Sequence, residues 1–228
     1  MPVMEIRGLS YLRSRGFTMQ TINEFDLMFF DGAKLYYDRS IRNRSVLDHA
    51  RSVFDFKTND GDYHYRNRFK NSILIPIYDL YGDYVAIMTR KLEPDPRKFD
   101  ATPFEKRYIL YGLNMAVPHI IAQKCVFVTE GVFDMLMMWQ YGIRNTVAAN
   151  GCRLTSEQIH LLSRFTDNFN IIFDPDKAGV QGSSSVLDTL KKYGLKGRRV
   201  LLNSAVDLDE YLLSSGPKEI LRYVQNTE

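Results

Sequence analysis

The second half of the chain alternates short apolar runs with amphipathic stretches. Three apolar runs have the length of buried strands, at residues 125–129, 145–149 and 169–173. Residues 132–141 predict a helix that ends at Gly142, and a capping box at residues 155–158 opens a second helix. This alternation of strand and helix predicts a parallel α/β sheet with right-handed crossovers. Beyond it the pattern predicts three further elements: a helix over 180–193, a strand over 199–202 and a helix over 211–225.

The first half of the chain has a more mixed pattern. It predicts two short helices at 4–15 and 18–25, a hairpin at 28–37 around Asp31-Gly32, and strands at 72–76 and 84–89. Residues 94–103 are interpreted as a loop and residues 114–124 as a linker. The sequence therefore predicts an α/β protein in which a smaller mixed α+β unit precedes the parallel sheet. We expect two domains, residues 1–121 and residues 122–228.

Acidic residues follow the predicted strands. Asp174 and Asp176 come directly after the third run, Glu130 follows the first run, and Asp134 falls in the first turn of the next helix. The carboxyl ends of parallel strands meet at one edge of a sheet, where open α/β sheets bind ligands. Carboxylates held together repel one another, and a hard divalent cation relieves that repulsion. Asp174 and Asp176 alone suit a solvated turn, but the second acidic cluster favours a cation site.

A third acidic group, Asp207 and Asp209, follows the next predicted strand. Each is also suited to cap the helix that follows, and for Asp209 the capping alternative is nearly as well supported as the metal alternative.

The charge of the chain adds little to the predictions made so far. The 228 residues carry a formal net charge of +3, with 19 Lys and Arg against 15 Asp and Glu in residues 1–124 and 11 against 12 in residues 125–228. This fits a basic half that binds nucleic acid beside an acidic half that binds metal, although ordinary surface charge also explains it. Residues 39–70 interleave eight cations with five aromatic rings, which suits either single-stranded nucleic acid or a plain aromatic core.

Several classes of protein are disfavoured by composition. Cys125 and Cys152 form no disulfide pattern, and the four histidines have no zinc-ligand spacing, so no zinc is expected. There is no apolar stretch of membrane-spanning length and no signal peptide, so we expect a cytoplasmic protein without a membrane partner.

Two motifs resemble a known domain. Glu130-Gly-Val-Phe-Asp134 and Asp174-Pro-Asp-Lys-Ala-Gly179 resemble the acidic motifs of the Toprim domain, which occurs in bacterial DnaG-type primases, topoisomerases and some nucleases. Three other segments, in the same order as in the primases, resemble the primase branch: residues 11–18, residues 75–90 and residues 110–116. The resemblance spans residues 6–212.

The resemblance implies a DNA primase, which makes short RNA primers on single-stranded DNA from ribonucleoside triphosphates with two or more Mg²⁺ or Mn²⁺ ions. It implies catalytic roles for Glu130, Asp134, Asp174 and Asp176, with Glu130 as a ligand or a general base. It implies metal ligation by Glu130, Asp174, Asp176, Asp207 and Asp209. It implies nucleotide or template binding by Arg90, Lys98 and Lys106, each of which is otherwise a solvent-exposed charge.

The family also has an N-terminal zinc module and a C-terminal helicase-binding domain, and neither is seen in this sequence. We therefore expect a compact phage- or plasmid-type primase, or the catalytic core of something longer. A replicative helicase or a separate zinc-binding template-recognition protein is the expected partner. The alternatives are a Toprim-type metal-dependent nuclease and a non-catalytic accessory protein of replication that binds nucleic acid.

Overall fold

The computed structural model describes residues 6–37, 44–55, 57, 61, 64–93, 98–202 and 206–225. The chain divides into two compact units: Met1–Ile77 with Asp83–Phe104, and Tyr78–Gly82 with Glu105–Glu228. The expected boundary between residues 121 and 122 stays a prediction.

The first unit is a mixed α+β structure around one sheet. Its helices are α1 (Ile6–Ser14), α2 (Met19–Glu24), α3 (Arg44–Asp55) and α4 (His64–Phe69). Its strands are β1 (Met28–Phe30), β2 (Leu35–Tyr36), β3 (Ser72–Tyr78), β4 (Tyr84–Lys91) and β5 (Phe99–Ala101), in the order β2-β1-β3-β4-β5. The predicted hairpin is confirmed, since β1 and β2 are antiparallel and the Asp31 carboxylate accepts the backbone N–H groups of Ala33 and Lys34.

Two interpretations of the first unit change with the structure. Part of the predicted loop is strand β5, because residues 99–101 pair with the end of β4, while residues 94–97 lie outside the described residues. In the basic and aromatic segment, Phe54 and Phe69 are buried, and the Phe54 ring stacks on Phe30 at 3.9 Å between centroids. These two rings therefore belong to the core, whereas Arg39, Arg42, Phe56 and Tyr63 lie outside the described residues.

The second unit contains the predicted parallel sheet. Its elements are a 3-10 turn (Lys106–Tyr108), α5 (Leu113–Gln123), β6 (Val126–Thr129), α6 (Val132–Gln140), β7 (Thr146–Ala148), α7 (Ser156–Ser163), β8 (Asn168–Ile172), α8 (Lys177–Lys192), β9 (Lys196–Arg199), α9 (Leu208–Ser215) and α10 (Lys218–Gln225). The strand order is β7-β6-β8-β9 and every neighbouring pair is parallel. Later strands therefore lie on both sides of β6, which makes the gap between β6 and β8 the topological switch point of the sheet.

Four predicted elements of this unit were misplaced. The predicted linker at 114–124 is helix α5, which buries Ala116 and Ile120. Strand β9 ends at Arg199, where the prediction began, because this polar edge strand is set by its pairing with β8 rather than by an apolar run. Helix α8 starts at Lys177, three residues early, and the final helix is two helices separated at Gly216. None of the helices described here is long and apolar enough to cross a membrane.

Helix α8 packs very closely against the loop that follows β7. A Cβ atom placed on Gly182 would lie 2.0 Å from the carbonyl oxygen of Cys152, which no backbone atom can tolerate without a shift. A glycine at this position thus lets the helix lie against the loop at the carboxyl edge of the sheet.

We predict that Gly182→Ala lowers the free energy of unfolding by about 1–3 kcal/mol, the usual cost of overpacking a tight contact. Urea denaturation measures it. Ser185→Ala, on the exposed side of the same helix, is the matched control and should leave the urea midpoint unchanged. Equal midpoints for both variants would show that the loop moves away freely.

Candidate functional site

The sheet brings two of the predicted acids to one edge. Thr129 of β6 lies opposite Ile172 of β8 in the parallel register, so Glu130 and Asp174 follow adjacent strands at the switch point. The backbone itself fixes this proximity, because the two strand ends are tied by ladder hydrogen bonds. The sequence prediction that the first two acidic clusters meet is therefore confirmed at the level of the fold.

Asp134 lies in the first turn of α6, and the pKa of its carboxyl is strongly raised. Burial raises the pKa of its carboxyl to about 8, and the charges of Asp174, Asp209 and Asp207 add to this rise. The backbone N–H of Gly131 donates to Asp134 Oδ2 at 3.1 Å, and this hydrogen bond opposes part of the rise in pKa. Asp134 is thus a carboxylate held in place by the start of its helix and repelled by three others.

Glu130 has the same kind of environment. Burial raises the pKa of its carboxyl, and Asp174, Asp176 and Asp207 raise it further, while a backbone N–H of Asp174 favours the charged form. Its Oε2 atom is shielded from solvent and has no hydrogen-bond partner among the described residues. An ionised oxygen left in this way costs free energy unless something positive approaches it.

The third acidic group also belongs to this cluster. Asp207 stands at the position before α9, yet its side chain makes no capping hydrogen bond, and Asp209 is buried as the second residue of the helix. Both influence the pKa of Asp134. Capping therefore does not account for Asp207, whereas Asp209 Oδ1 accepts the N–H of Glu210 at 2.9 Å in the first turn of α9. Asp176 caps α8, since its Oδ1 accepts the N–H of Gly179 at 2.7 Å.

The three predicted cations are distributed over both units. Lys106 belongs to the acidic unit, and its Nζ lies 4.0 Å from where a Cβ on Gly151 would stand, next to the end of β7. Arg90 and Lys98 belong to the first unit. Arg90 Nε donates to the hydroxyl of Tyr11 at 3.0 Å, and its guanidinium lies 4.8 Å from the centre of the Phe99 ring. Lys98 has an exposed side chain.

The donor set of the cluster fits a divalent cation. Carboxylate oxygens are the ligands that Mg²⁺ and Mn²⁺ take up, and an ion would offset both the burial and the mutual repulsion that raise the pKa values of Glu130 and Asp134. The unpartnered Oε2 of Glu130 is the observation that supports this fit. Across the described ranges, no three acidic, histidine or cysteine side chains already stand as a chelating set.

Sequence reasoning named no residue at the end of β7. Asn150 and Gly151 follow that strand at the same edge as Glu130, and the N–H of Gly151 donates to the Glu130 carbonyl at 3.1 Å. The available signal was an Asn-Gly pair placed directly after an apolar run.

Two family models match this chain. Residues 4–117 match the model described as the N-terminal domain of the DNA primase catalytic core, and residues 127–212 match a Toprim-like model. The first covers half of the chain, and the second coincides with the parallel sheet and its acids. The second unit therefore has the Toprim fold that the two acidic motifs predicted.

The relatives with similar sequences are named DNA primases. The chain is 29% identical over 226 residues to a DNA primase of Clostridium acetobutylicum, covering 96% of this chain and 37% of that protein. It is 29% identical over 222 residues to a DNA primase of Aquifex aeolicus, covering 95% of this chain and 44% of that protein. The chain thus spans less than half the length of these relatives.

Solved structures share the fold over nearly the whole chain. The Aquifex aeolicus primase, with its zinc-binding and RNA polymerase domains, has a TM-score of 0.79 and 29% identity, covering 95% of this chain and 55% of that one. The E. coli primase catalytic core has a TM-score of 0.77 and 25% identity, covering 98% and 74%. A DnaG primase catalytic domain bound to single-stranded DNA has a TM-score of 0.76 and 26% identity, covering 99% and 74%.

We predict that Asp134→Asn stabilises the protein at pH 7.5 when divalent ions are chelated. Because the folded-state pKa of Asp134 is raised to about 8 from 3.8, its stabilising contribution is complete below pH 3.8 and is lost as the pH rises through about 8. The asparagine side chain keeps an oxygen that can accept the N–H of Gly131, but it carries no charge. We expect the thermal midpoint to rise by about 2–4 °C, the shift that roughly 1 kcal/mol gives a chain of this size.

Calorimetry at pH 7.5 and at pH 5 checks the pKa argument. The difference between variant and wild type should shrink at the lower pH, where Asp134 is largely protonated in the folded protein. A difference that stays constant between the two pH values would contradict a charge-based origin.

Proposed function

The chain belongs to the family of DnaG-type primase catalytic cores, and from this premise we propose that it synthesises short RNA primers on single-stranded DNA by metal-dependent nucleotidyl transfer. The single observation that carries the proposal is that several carboxylates are held together at the switch point, where burial first and mutual repulsion second raise the pKa values of Glu130 and Asp134. Groups with pKa values shifted by burial and by neighbouring charges cluster at functional sites, and a site that binds cations needs carboxylates held close together.

The acidic residues would have different roles according to their positions. Glu130, Asp174, Asp176, Asp207 and Asp209 would hold two or more Mg²⁺ or Mn²⁺ ions. Such ions, when bound, supply a lower pKa for the attacking 3′-hydroxyl and neutralisation of the leaving pyrophosphate. Asp134 would stabilise the bound cations from the start of α6.

Glu130 would also take up the proton released by the attacking hydroxyl. A raised pKa brings a carboxylate closer to neutrality, which makes it a better proton acceptor at physiological pH. The backbone N–H of Asp174 would orient it for this step.

The basic side chains would bind phosphate groups, which the acidic side chains repel. Lys106, beside the end of β7, would contact the triphosphate of the incoming nucleotide. Arg90 and Lys98 would bind nucleotide or template phosphates from the first unit. The contacts of Arg90 with Tyr11 and Phe99 support this, because they hold the guanidinium in one orientation.

We extend the proposal to partners and organisation. A DnaG primase catalytic domain has been solved with single-stranded DNA, which supports a DNA template here, with ribonucleoside triphosphates as substrates. Residues 1–121 would bind template and nucleotide, and residues 122–228 would carry the chemistry. A replicative helicase or a separate zinc-binding protein would assist at the fork in the cytoplasm. A phage or plasmid origin stays a prediction.

Primer synthesis is the direct test. The full chain is incubated with single-stranded DNA, Mn²⁺ or Mg²⁺ and labelled ribonucleotides, and the products are separated by size. We expect short RNA from the wild type and at least a hundredfold loss in Asp174→Asn, because removal of one carboxylate weakens cation binding at the switch point. Asp188→Asn, an exposed acid on α8, is the control and should retain full activity.

The same reaction separates the rival functions. Shortened DNA without RNA would identify a nuclease, and DNA binding without either product would identify an accessory protein. Primer synthesis that survives Asp174→Asn would refute the cation site.

A second variant tests the phosphate contact. Lys106→Ala should raise the KM for ribonucleotides about tenfold, the factor that corresponds to about 1.4 kcal/mol, because a charge-assisted hydrogen bond to phosphate is lost. Arg107→Ala, in the same 3-10 turn, is the matched control, since its guanidinium lies over the Tyr108 ring at 4.6 Å. Steady-state kinetics at saturating DNA compares the two, and equal KM values would remove Lys106 from the site.

A further inference from the structure

Strand β7 has an asparagine near each end, and the two amide nitrogens differ in whether they have a hydrogen-bond partner. Asn145, before the strand, is buried, and its Nδ2 donates to the carbonyl of Cys125 at 2.9 Å. Asn150, after the strand, has both Oδ1 and Nδ2 shielded from solvent, and neither atom has a hydrogen-bond partner among the residues described. The side-chain nitrogen at the amino end thus makes a structural hydrogen bond, and the one at the carboxyl end does not, while the Oδ1 atoms of both residues have no partner among the described residues.

The backbone holds Asn150 firmly even though its side chain is unpaired. Its φ of 60° lies in the left-handed region, which Asn tolerates better than most residues. The N–H of Ala149 donates to the Thr129 carbonyl at 3.0 Å, and the N–H of Gly151 donates to the Glu130 carbonyl at 3.1 Å. These bonds continue the pairing of β6 and β7 past the ends of both strands, and they place Asn150 beside Glu130.

Glu130, on the neighbouring segment, also has an unpartnered polar atom. Its Oε2 is also shielded and has no partner within the described part of the chain, so a carboxylate acceptor and an amide donor lie unpaired on neighbouring segments. Buried polar groups are normally paired, and unpaired ones in a native protein call for a functional explanation. Carboxylates that hold metal ions are themselves oriented by hydrogen bonds from a surrounding shell of side chains.

We propose that Asn150 is a positioning residue for Glu130, and that its Nδ2 donates to Glu130 Oε2 when a divalent cation occupies the acidic site. The bond would fix the carboxylate in the orientation that the cation requires. The inference rests on the cation site of the proposed function and adds to it an uncharged residue from a third strand end.

Binding of Mn²⁺ to the full chain, measured by electron paramagnetic resonance, tests the inference together with urea denaturation in a chelating buffer. The variant is Asn150→Gly, since glycine accepts the left-handed backbone without strain. We expect its Kd for Mn²⁺ to rise about tenfold or more, the usual effect of removing a residue that orients a metal ligand. Its urea midpoint should equal or exceed that of the wild type, because no hydrogen bond of the resting protein is lost.

Asn145→Ala is the matched control at the other end of the strand. It loses the bond to the Cys125 carbonyl, so its urea midpoint should fall while its Kd for Mn²⁺ stays that of the wild type.

The outcomes separate this inference from the function on which it rests. Equal Mn²⁺ affinity in the wild type and Asn150→Gly would overturn the role of Asn150 and leave the cation site intact. A urea midpoint of Asn150→Gly that falls as far as that of Asn145→Ala would also overturn it, since the amide would then be paired in the resting protein. A wild type that binds no Mn²⁺ would remove the cation site itself.

Discussion

Repulsion among carboxylates at the carboxyl edge of the parallel sheet is the constraint on which the second unit depends. The register of β6 against β8 forces Glu130 and Asp174 together, and α6 and α9 add Asp134 and Asp209. The fold offsets only part of the resulting cost, with backbone N–H groups directed at Asp134 and Asp176. The remainder of the repulsion adds to the effect of burial in raising the pKa values of Glu130 and Asp134, and a bound cation would offset both.

Tight backbone contacts hold this edge in place. A Cβ on Gly179 would lie 2.3 Å from the Asp174 carbonyl oxygen, so the first turn of α8 lies directly against the strand end that carries the acid. Gly182 does the same for the loop after β7. Rigid support of this kind matters for a charged site, because side chains on a mobile edge would separate and relieve their repulsion without binding anything.

The sequence was informative wherever burial imposed a pattern. The strands at 126–129 and 168–172 are largely buried on both faces, and acids follow them closely, so the sheet and the meeting of Glu130 with Asp174 were predictable. Strand β9 is polar because it lies at the sheet edge, and its position is set by pairing with β8, which no local pattern reveals. Helix α5 was interpreted as a linker, but its residues Ala116 and Ile120 are buried even though Pro118 lies within the helix.

The site shows the same division between local and tertiary information. Charged residues draw attention in a sequence, so all six acids were named, whereas Asn150 carries no charge and belongs to no motif. Asn150 stands out only because its side-chain atoms have no hydrogen-bond partner among the described residues. A missing hydrogen bond is a property of three-dimensional packing. Asn145 and Asn150 are the same residue at the two ends of one strand, and only their surroundings distinguish a structural amide from one that awaits a partner. Uncharged groups that complete an acidic site are therefore the part of the chemistry that a sequence is least able to reveal.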